Sequence, residues 1–185
     1  MISFVLPVYN CFNKLSAKLP ELILQLDDAG ILYEIIIVDD GSSNKIDISY
    51  CLNSKCKIVV NDKNCGKGYS VKRGMMAACG EAIIFMDGDF PFEPEVIEHA
   101  CSEIQSPEVD MIIGDRTLPG SSYKEAPFIR SAGSKIISFI VSRFVTPGYY
   151  DTQCGIKGFK REVAKDIFSK LTINGFSFDV EIIFI

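Results

Sequence analysis

Residues 33–42 read YEIIIVDDGS, an apolar run that ends in two aspartates, a glycine and a serine. A short β-branched run bounded by turn-forming residues is typical of a buried strand. Comparable runs occupy residues 2–8, 57–60, 82–86 and 110–114, and segments with helical periodicity, such as 15–29 and 68–78, lie between them. Strands that alternate with helices predict an α/β fold with a mostly parallel central sheet flanked by helices.

Polar residues follow three of these runs at the point where each run ends. They are Pro7-Val8-Tyr9-Asn10, Asp39-Asp40-Gly41-Ser42 and Asp87-Gly88-Asp89. Because the carboxyl ends of parallel strands meet at one edge of a sheet, where ligands of such folds gather, these segments are expected to form one site.

Length and composition favour one domain over residues 1–185, since 185 residues with 48% hydrophobic content suffice for one core. The apolar run 178–185 stops without a turn or cap, so this domain is expected to be truncated at its C-terminus. The net charge of −5 argues against a nucleic-acid partner, which requires clustered lysine and arginine.

The cysteines and the hydropathy predict where the protein works. Seven scattered cysteines without a CxxC pair suggest neither a disulfide framework nor a zinc site, and favour reduced thiols in the cytoplasm. No apolar stretch reaches the roughly 18 residues needed to span a membrane. A soluble chain, or one in peripheral contact with a membrane, is expected.

The Asp87-Gly88-Asp89 triplet places two carboxylates where a strand leaves the sheet. Mg²⁺ and Mn²⁺ prefer oxygen ligands, usually one or two carboxylates together with water and substrate phosphates. Such a cation would hold a diphosphate here. The alternative is an acidic turn that caps the following helix.

Two further segments offer groups for a nucleotide. A carboxylate at Asp39 or Asp40 could accept hydrogen bonds from a base or a ribose, although an Asx-turn explains the same residues. Residues 64–68, NCGKG, open a helix with free backbone N–H groups and with Lys67 near the phosphates. The spacing is not that of a P-loop, and a simple glycine-rich helix entry is the alternative.

In order and spacing, these four segments resemble the inverting glycosyltransferases of family two, which have the GT-A fold. Residues 151–157, DTQCGIK, and 176–181, FSFDVE, resemble the polyprenyl-phosphate branch, and most of all the dolichyl-phosphate β-glucosyltransferases. The related mannose synthases follow their D-x-D with Leu-Gln, whereas this chain has Phe90-Pro91. The resemblance therefore implies a UDP-sugar rather than a GDP-sugar as donor, with UDP-glucose as the first choice.

The resemblance also implies roles for individual residues. The nucleotide-sugar pocket would be lined by Pro7, Tyr9, Val38, Asp39, Asp40, Lys67, Asp87, Gly88 and Asp89. The metal, Mg²⁺ or Mn²⁺, would be held by Asp87 and Asp89, and an acceptor phosphate by Arg116, Arg130 and Ser134. The residues of catalysis would be Asp151, Asp179 and Arg116, with Arg116 contacting the donor diphosphate or the acceptor.

The acceptor class decides whether a base is needed. A lipid monophosphate is largely ionised at neutral pH, so Asp151 would only orient it, whereas a hydroxyl acceptor would require Asp179 or Asp151 as base. The apolar stretch 128–145 would rest at the cytoplasmic membrane face for a lipid acceptor, although core packing is an alternative explanation of the same pattern. A hydroxyl acceptor in polysaccharide synthesis and an inert nucleotide-sugar-binding module remain the alternatives. A nucleotidyltransferase is disfavoured, because residues 5–13 have no glycine- and basic-rich signature.

Overall fold

A computed structural model describes residues 1–44, 55–88, 92–116, 118, 151 and 153–185. The strands are β1 (Ile2–Val8), β2 (Tyr33–Asp39), β3 (Cys56–Val60), β4 (Ala82–Met86), β5 (Met111–Ile113) and β6 (Ile156–Lys160). The helices are α1 (Phe12–Asp28), α2 (Lys67–Ala77), α3 (Pro94–Gln105), α4 (Arg161–Lys170) and α5 (Phe178–Phe184). None of the helices described is both long enough and apolar enough to cross a membrane.

The six strands described form one sheet in the order β3-β2-β1-β4-β6-β5. β1 pairs in parallel with both β2 and β4, and β2 pairs in parallel with β3. β6 runs antiparallel between β4 and β5. The predicted mostly parallel α/β fold is confirmed, and the antiparallel β6 is an element that the alternation of strands and helices did not predict.

Strand residues that alternate in direction build a core on each face of the sheet. On one face, α1 buries Leu15, Leu19, Leu22 and Leu26, a spacing that matches the helical periodicity predicted for residues 15–29. On the other face, α2, α4 and α5 cover an aromatic group formed by Phe85, Phe159, Phe168 and Phe178.

The topology collects loops at one edge of the sheet. β1 to β4 end there, β5 is parallel to them through its pairing with β6, and β6 begins there because Ile156 pairs with Met86. Segments distant in sequence therefore meet at this edge, as the strand ends predicted.

Candidate active site

Asp40 lies beneath the loop that leads into α2 and holds that loop in place. Its Oδ1 accepts hydrogen bonds from the Asn61 side-chain amide at 2.7 Å and from the Cys65 backbone N–H at 2.8 Å. Its Oδ2 accepts one from the Gly66 N–H at 2.9 Å. Because Asp40 is only 4% exposed, its carboxylate is mainly occupied with the protein's own backbone.

Asp39 and Asn10 shape the adjoining ends of β2 and β1. Asp39 Oδ1 accepts a hydrogen bond from the Ser42 N–H at 3.0 Å, which closes the turn. Ser42 Oγ in turn accepts the Asn10 N–H, and Asn10 Oδ1 accepts the Ser43 N–H, each at 2.9 Å. Beside this turn Tyr9 is 49% exposed, so its ring is available to a ligand.

The backbone entering α2 requires glycine. Gly66 has a φ of +101°, and a Cβ there would lie 2.4 Å from the Asn174 carbonyl oxygen. A Cβ on Gly68 would lie equally close to the Ile173 carbonyl oxygen. The Tyr69 N–H donates to the Asn174 carbonyl at 3.2 Å. The start of α2 is therefore packed directly against the segment that precedes α5.

Lys67, the first residue of α2, forms an ion pair with Asp87 at the end of β4. The distance from Lys67 Nζ to Asp87 Oδ1 is 2.6 Å, and the side chains are 15% and 32% exposed. The Asp87 N–H donates to the Gly155 carbonyl at 3.0 Å, which ties the end of β4 to the start of β6. The pair thus joins a helix N-terminus to the sheet edge and remains partly open to solvent.

Arg116 and Asp151 form a clasp on the far side of the same edge. Arg116 Nε and Nη2 donate to the two carboxylate oxygens of Asp151, each at 2.7 Å, and the Arg116 N–H adds a bond of 2.9 Å. Burial alone would raise the pKa of Asp151, but the Arg116 hydrogen bonds outweigh burial and lower that pKa. Asp151 is therefore an ionised carboxylate with both oxygens engaged.

A second ion pair is buried beneath the edge. Lys157 Nζ on β6 lies 2.5 Å from Asp179 Oδ1 on α5, and Lys157 also donates to the Cys154 carbonyl at 2.8 Å. Lys157 is 0% and Asp179 3% exposed. Burial raises the pKa of Asp179, and the ammonium of Lys157 opposes that rise. Lys157 was not among the predicted site residues, because nothing local in the sequence marks it as buried or as paired with an acid.

Comparisons with known proteins identify the family of this chain. The family model described as Glycosyl transferase family 2 matches residues 3–168. The chain belongs to this family. Within glycosyl transferase family 2 it resembles a human dolichyl-phosphate beta-glucosyltransferase, with 32% identity over 100% of this chain and 62% of the relative. It also resembles a dolichol-phosphate mannosyltransferase of Pyrococcus furiosus, with 31% identity over 98% of this chain and 52% of the relative. The chain thus spans about three fifths of the length of the human relative.

The architecture is also found in a solved structure. Glucosyl-3-phosphoglycerate synthase of Mycobacterium tuberculosis, in complex with Mn²⁺, UDP-glucose and phosphoglyceric acid, superposes with a TM-score of 0.69 at 16% identity. The match covers 98% of this chain and 63% of that chain. At this identity the likeness establishes the GT-A fold of this family 2 chain, as the resemblance implied.

Only one of the two carboxylates predicted to bind the metal lies within the described residues. Asp87 offers an oxygen donor at the expected strand end, which fits the one or two carboxylates that Mg²⁺ and Mn²⁺ use beside substrate phosphates. Among the residues that the structure describes, no three histidine, cysteine or acidic side chains cluster closely enough to hold a metal. Asp89, the other predicted ligand, lies outside them, so the metal site stays a prediction.

The remaining predicted residues divide between the edge and the undescribed part of the chain. Pro7 and Gly88 lie at the edge, where a Cβ on Gly88 would meet the Pro7 carbonyl oxygen at 2.9 Å, whereas the Val38 side chain, near the end of β2, is buried in the core. Arg130 and Ser134, predicted to bind an acceptor phosphate, fall outside the described residues. The roles assigned to Asp151 and Asp179 stay predictions, although both carboxylates are already ion-paired.

Proposed function

We propose that this chain binds UDP-glucose and transfers glucose, with inversion, to a polyprenyl or dolichyl phosphate. The observation that carries the proposal is the meeting of Lys67–Asp87 and Arg116–Asp151 at one sheet edge, beside the loop held by Asp40. This edge offers a carboxylate for a cation and two basic groups for phosphates. Membership of the family and the names of the relatives support glucose and a dolichyl phosphate.

The donor is proposed to lie across the ends of β1, β2 and β4. Tyr9 and the turn at Asp39 would contact the base and ribose, while Asp40 would fix the loop before α2 through its bonds to the Cys65 and Gly66 N–H groups. Bound at Asp87 and Asp89, Mg²⁺ or Mn²⁺ would neutralise the charge that grows on the departing diphosphate. Lys67 would keep Asp87 in place and add positive charge next to that diphosphate.

The acceptor is proposed to approach from the side of Arg116. A phosphate monoester has a second pKa near 6 and is largely ionised at neutral pH, so it can attack the anomeric carbon without a strong base. Arg116 would hold the phosphate, with Arg130 and Ser134 as further contacts. Asp151 would orient Arg116 through their two-pronged contact.

The proposal extends to the organisation of the protein. We propose that residues 1–185 form the catalytic domain of a longer protein that works on the cytoplasmic side of a membrane. Residues 128–145, which lie outside the described residues, would then rest at the lipid surface, where a polyprenyl chain is available.

The test is a donor screen with Mn²⁺ or Mg²⁺ that follows UDP and GDP release with and without a polyprenyl phosphate. We expect metal-dependent UDP release from UDP-glucose that the lipid phosphate stimulates. Asp89→Ala should abolish metal-dependent donor binding, whereas the matched control Asp28→Ala, an exposed carboxylate at the far end of α1, should not.

Other outcomes would redirect the assignment. Release stimulated only by a hydroxyl acceptor would replace the lipid phosphate, and tight donor binding without any release would indicate an inert binding module. An Asp89→Ala variant that binds donor as tightly as the parent would refute the metal position.

A further inference from the structure

The buried pair Lys157–Asp179 is a charged cluster for which the proposed chemistry has no direct use. Its side chains are 0% and 4% exposed, and Lys157 Nζ lies 5.3 Å from the centre of the Phe85 ring. Two charges removed from water cost several kcal/mol each unless they are paired closely. Because even a close buried pair contributes little net stability, a pair beneath the proposed catalytic edge calls for another role.

The pair joins two walls of the site, namely the segment that leads into β6 and the start of α5. Lys157 belongs to β6 and also holds the Cys154 carbonyl, so it anchors the short segment between Asp151 and β6. Asp179 belongs to the first turn of α5, and its neighbour Phe178 packs against Gly68 at the start of α2. Breaking the pair would therefore loosen both walls.

Asp87 is the group that these walls position. Its N–H donates to the Gly155 carbonyl, and its Oδ2 would be 2.1 Å from a Cβ on Gly155, so the carboxylate occupies space that only glycine at residue 155 leaves open. Lys67, which holds the other oxygen of Asp87, begins the helix against which Phe178 packs. Lys67 Nζ lies 5.7 Å from the centre of the ring of Phe178, the residue next to Asp179, so the two pairs lie near one another.

The alternative role for Asp179 is that of a general base. A base must present a free oxygen within about 3 Å of the proton that it removes. Asp179 is 3% exposed, and Oδ1 is held by the Lys157 ammonium at 2.5 Å. Asp151, the other candidate for a base, has both of its oxygens on Arg116.

We propose that Lys157 and Asp179 are positioning residues that act as a neutral, paired unit to hold Asp87 in its donor-binding place. Neither side chain touches substrate. The inference rests on the proposed function and deepens it, because an acceptor served without a base at Asp179 must be ionised already, as a phosphate monoester is.

The test compares single variants with the double variant. Lys157→Met and Asp179→Asn each leave one buried charge without its partner, whereas Lys157→Met/Asp179→Asn leaves none. We expect each single change to weaken Mn²⁺-dependent UDP binding by about tenfold, the loss typical of groups that orient a metal ligand. The double variant should return to within about threefold of the parent.

The exposed pair Lys170–Asp166 on α4 supplies the matched control. Its Nζ to Oδ2 distance is 2.7 Å, with side chains 53% and 64% exposed. Lys170→Met, Asp166→Asn and their combination should leave UDP binding unchanged, because surface pairs contribute little.

Binding of UDP and transfer of glucose separate the possible outcomes. If Asp179 is a base, Asp179→Asn and the double variant will both bind UDP normally and both lose transfer, which would overturn the proposal. If the single variants do not fold, a folded double variant with near-parental UDP binding supports it, and a folded double variant with weak binding refutes it. A parent that binds UDP with Mn²⁺ but transfers nothing to a lipid phosphate refutes the proposed function alone, since the binding comparison still stands.

Discussion

Replacing Gly155 by alanine should displace the Asp87 carboxylate without touching any charged group. A Cβ at residue 155 would lie 2.1 Å from Asp87 Oδ2 and 2.6 Å from Asp87 Cγ. Atoms do not approach so closely, so the carboxylate must retreat by about 1 Å to restore van der Waals contact. The retreat would also strain the 2.6 Å contact between Lys67 and Asp87.

The size of the effect follows from how little a metal site tolerates. Metal–oxygen distances in working sites stay within about 0.2 Å of their ideal values, which is far less than a retreat of about 1 Å. A misplacement of about 1 Å near reacting groups can reduce a rate about 100-fold. We therefore expect kcat/KM of Gly155→Ala to fall by about 100-fold, which corresponds to about 2.7 kcal/mol.

The assay combines UDP calorimetry at several Mn²⁺ concentrations with transfer kinetics and thermal unfolding. Gly175→Ala is the matched control, because a Cβ there meets nothing within 4 Å. Gly155→Ala should lower the free energy of unfolding by about 1–3 kcal/mol and leave the far-ultraviolet circular dichroism spectrum unchanged. If folded Gly155→Ala binds UDP and Mn²⁺ like Gly175→Ala, the reasoning about Asp87 is wrong.

Three further predictions concern stability. Arg116→Lys loses the two-pronged contact with Asp151 and should lower the free energy of unfolding in urea by about 1 kcal/mol; an unchanged midpoint would refute the role of the clasp. Because the pKa of Asp151 is lowered on folding from its ordinary 3.8, its contribution is full above that value and disappears as pH falls through the lower folded pKa. Asp151→Asn should therefore flatten this acid limb in a pH series of urea curves, and an equally steep limb would contradict the assignment. Gly66→Ala, strained at φ +101° and blocked by Asn174, should cost about 2 kcal/mol more than Gly30→Ala, which is strained at φ +66° but has open space; equal thermal shifts would rule out the steric account.

Much of the fold could be predicted from local patterns. The β-branched runs at β1, β2 and β4 were predicted at their observed bounds or within one residue of them, because a buried parallel strand needs continuous apolar residues. The polar strand ends identified the edge for the same reason, since a strand leaves the core where its apolar run stops. β6 escaped prediction, because Ile156–Lys160 carries two lysines and a glycine that interrupt the apolar pattern.

The candidate site was predicted less completely than its location. Asp39, Asp40, Asp87, Arg116 and Asp151 were identified by residue type and resemblance, and all five lie at the edge. Their partners could not be read from spacing, because the hydrogen bonds join residues 25, 26 and 35 positions apart in the chain. Nothing local in the sequence specifies such a pair.

The sequence by itself determined the α/β class, the polar residues that end the parallel strands, and the family. Each of these depends on residue type and on the local spacing of apolar residues. Only the tertiary structure decided which charges meet. In the folded chain, Asp40 accepts hydrogen bonds from a loop backbone, Lys67 pairs with Asp87, and Lys157 pairs with Asp179 beneath the edge. The physical reason is that a buried charge takes its partner from whatever the packed fold brings within about 3 Å, and chain order does not encode that proximity.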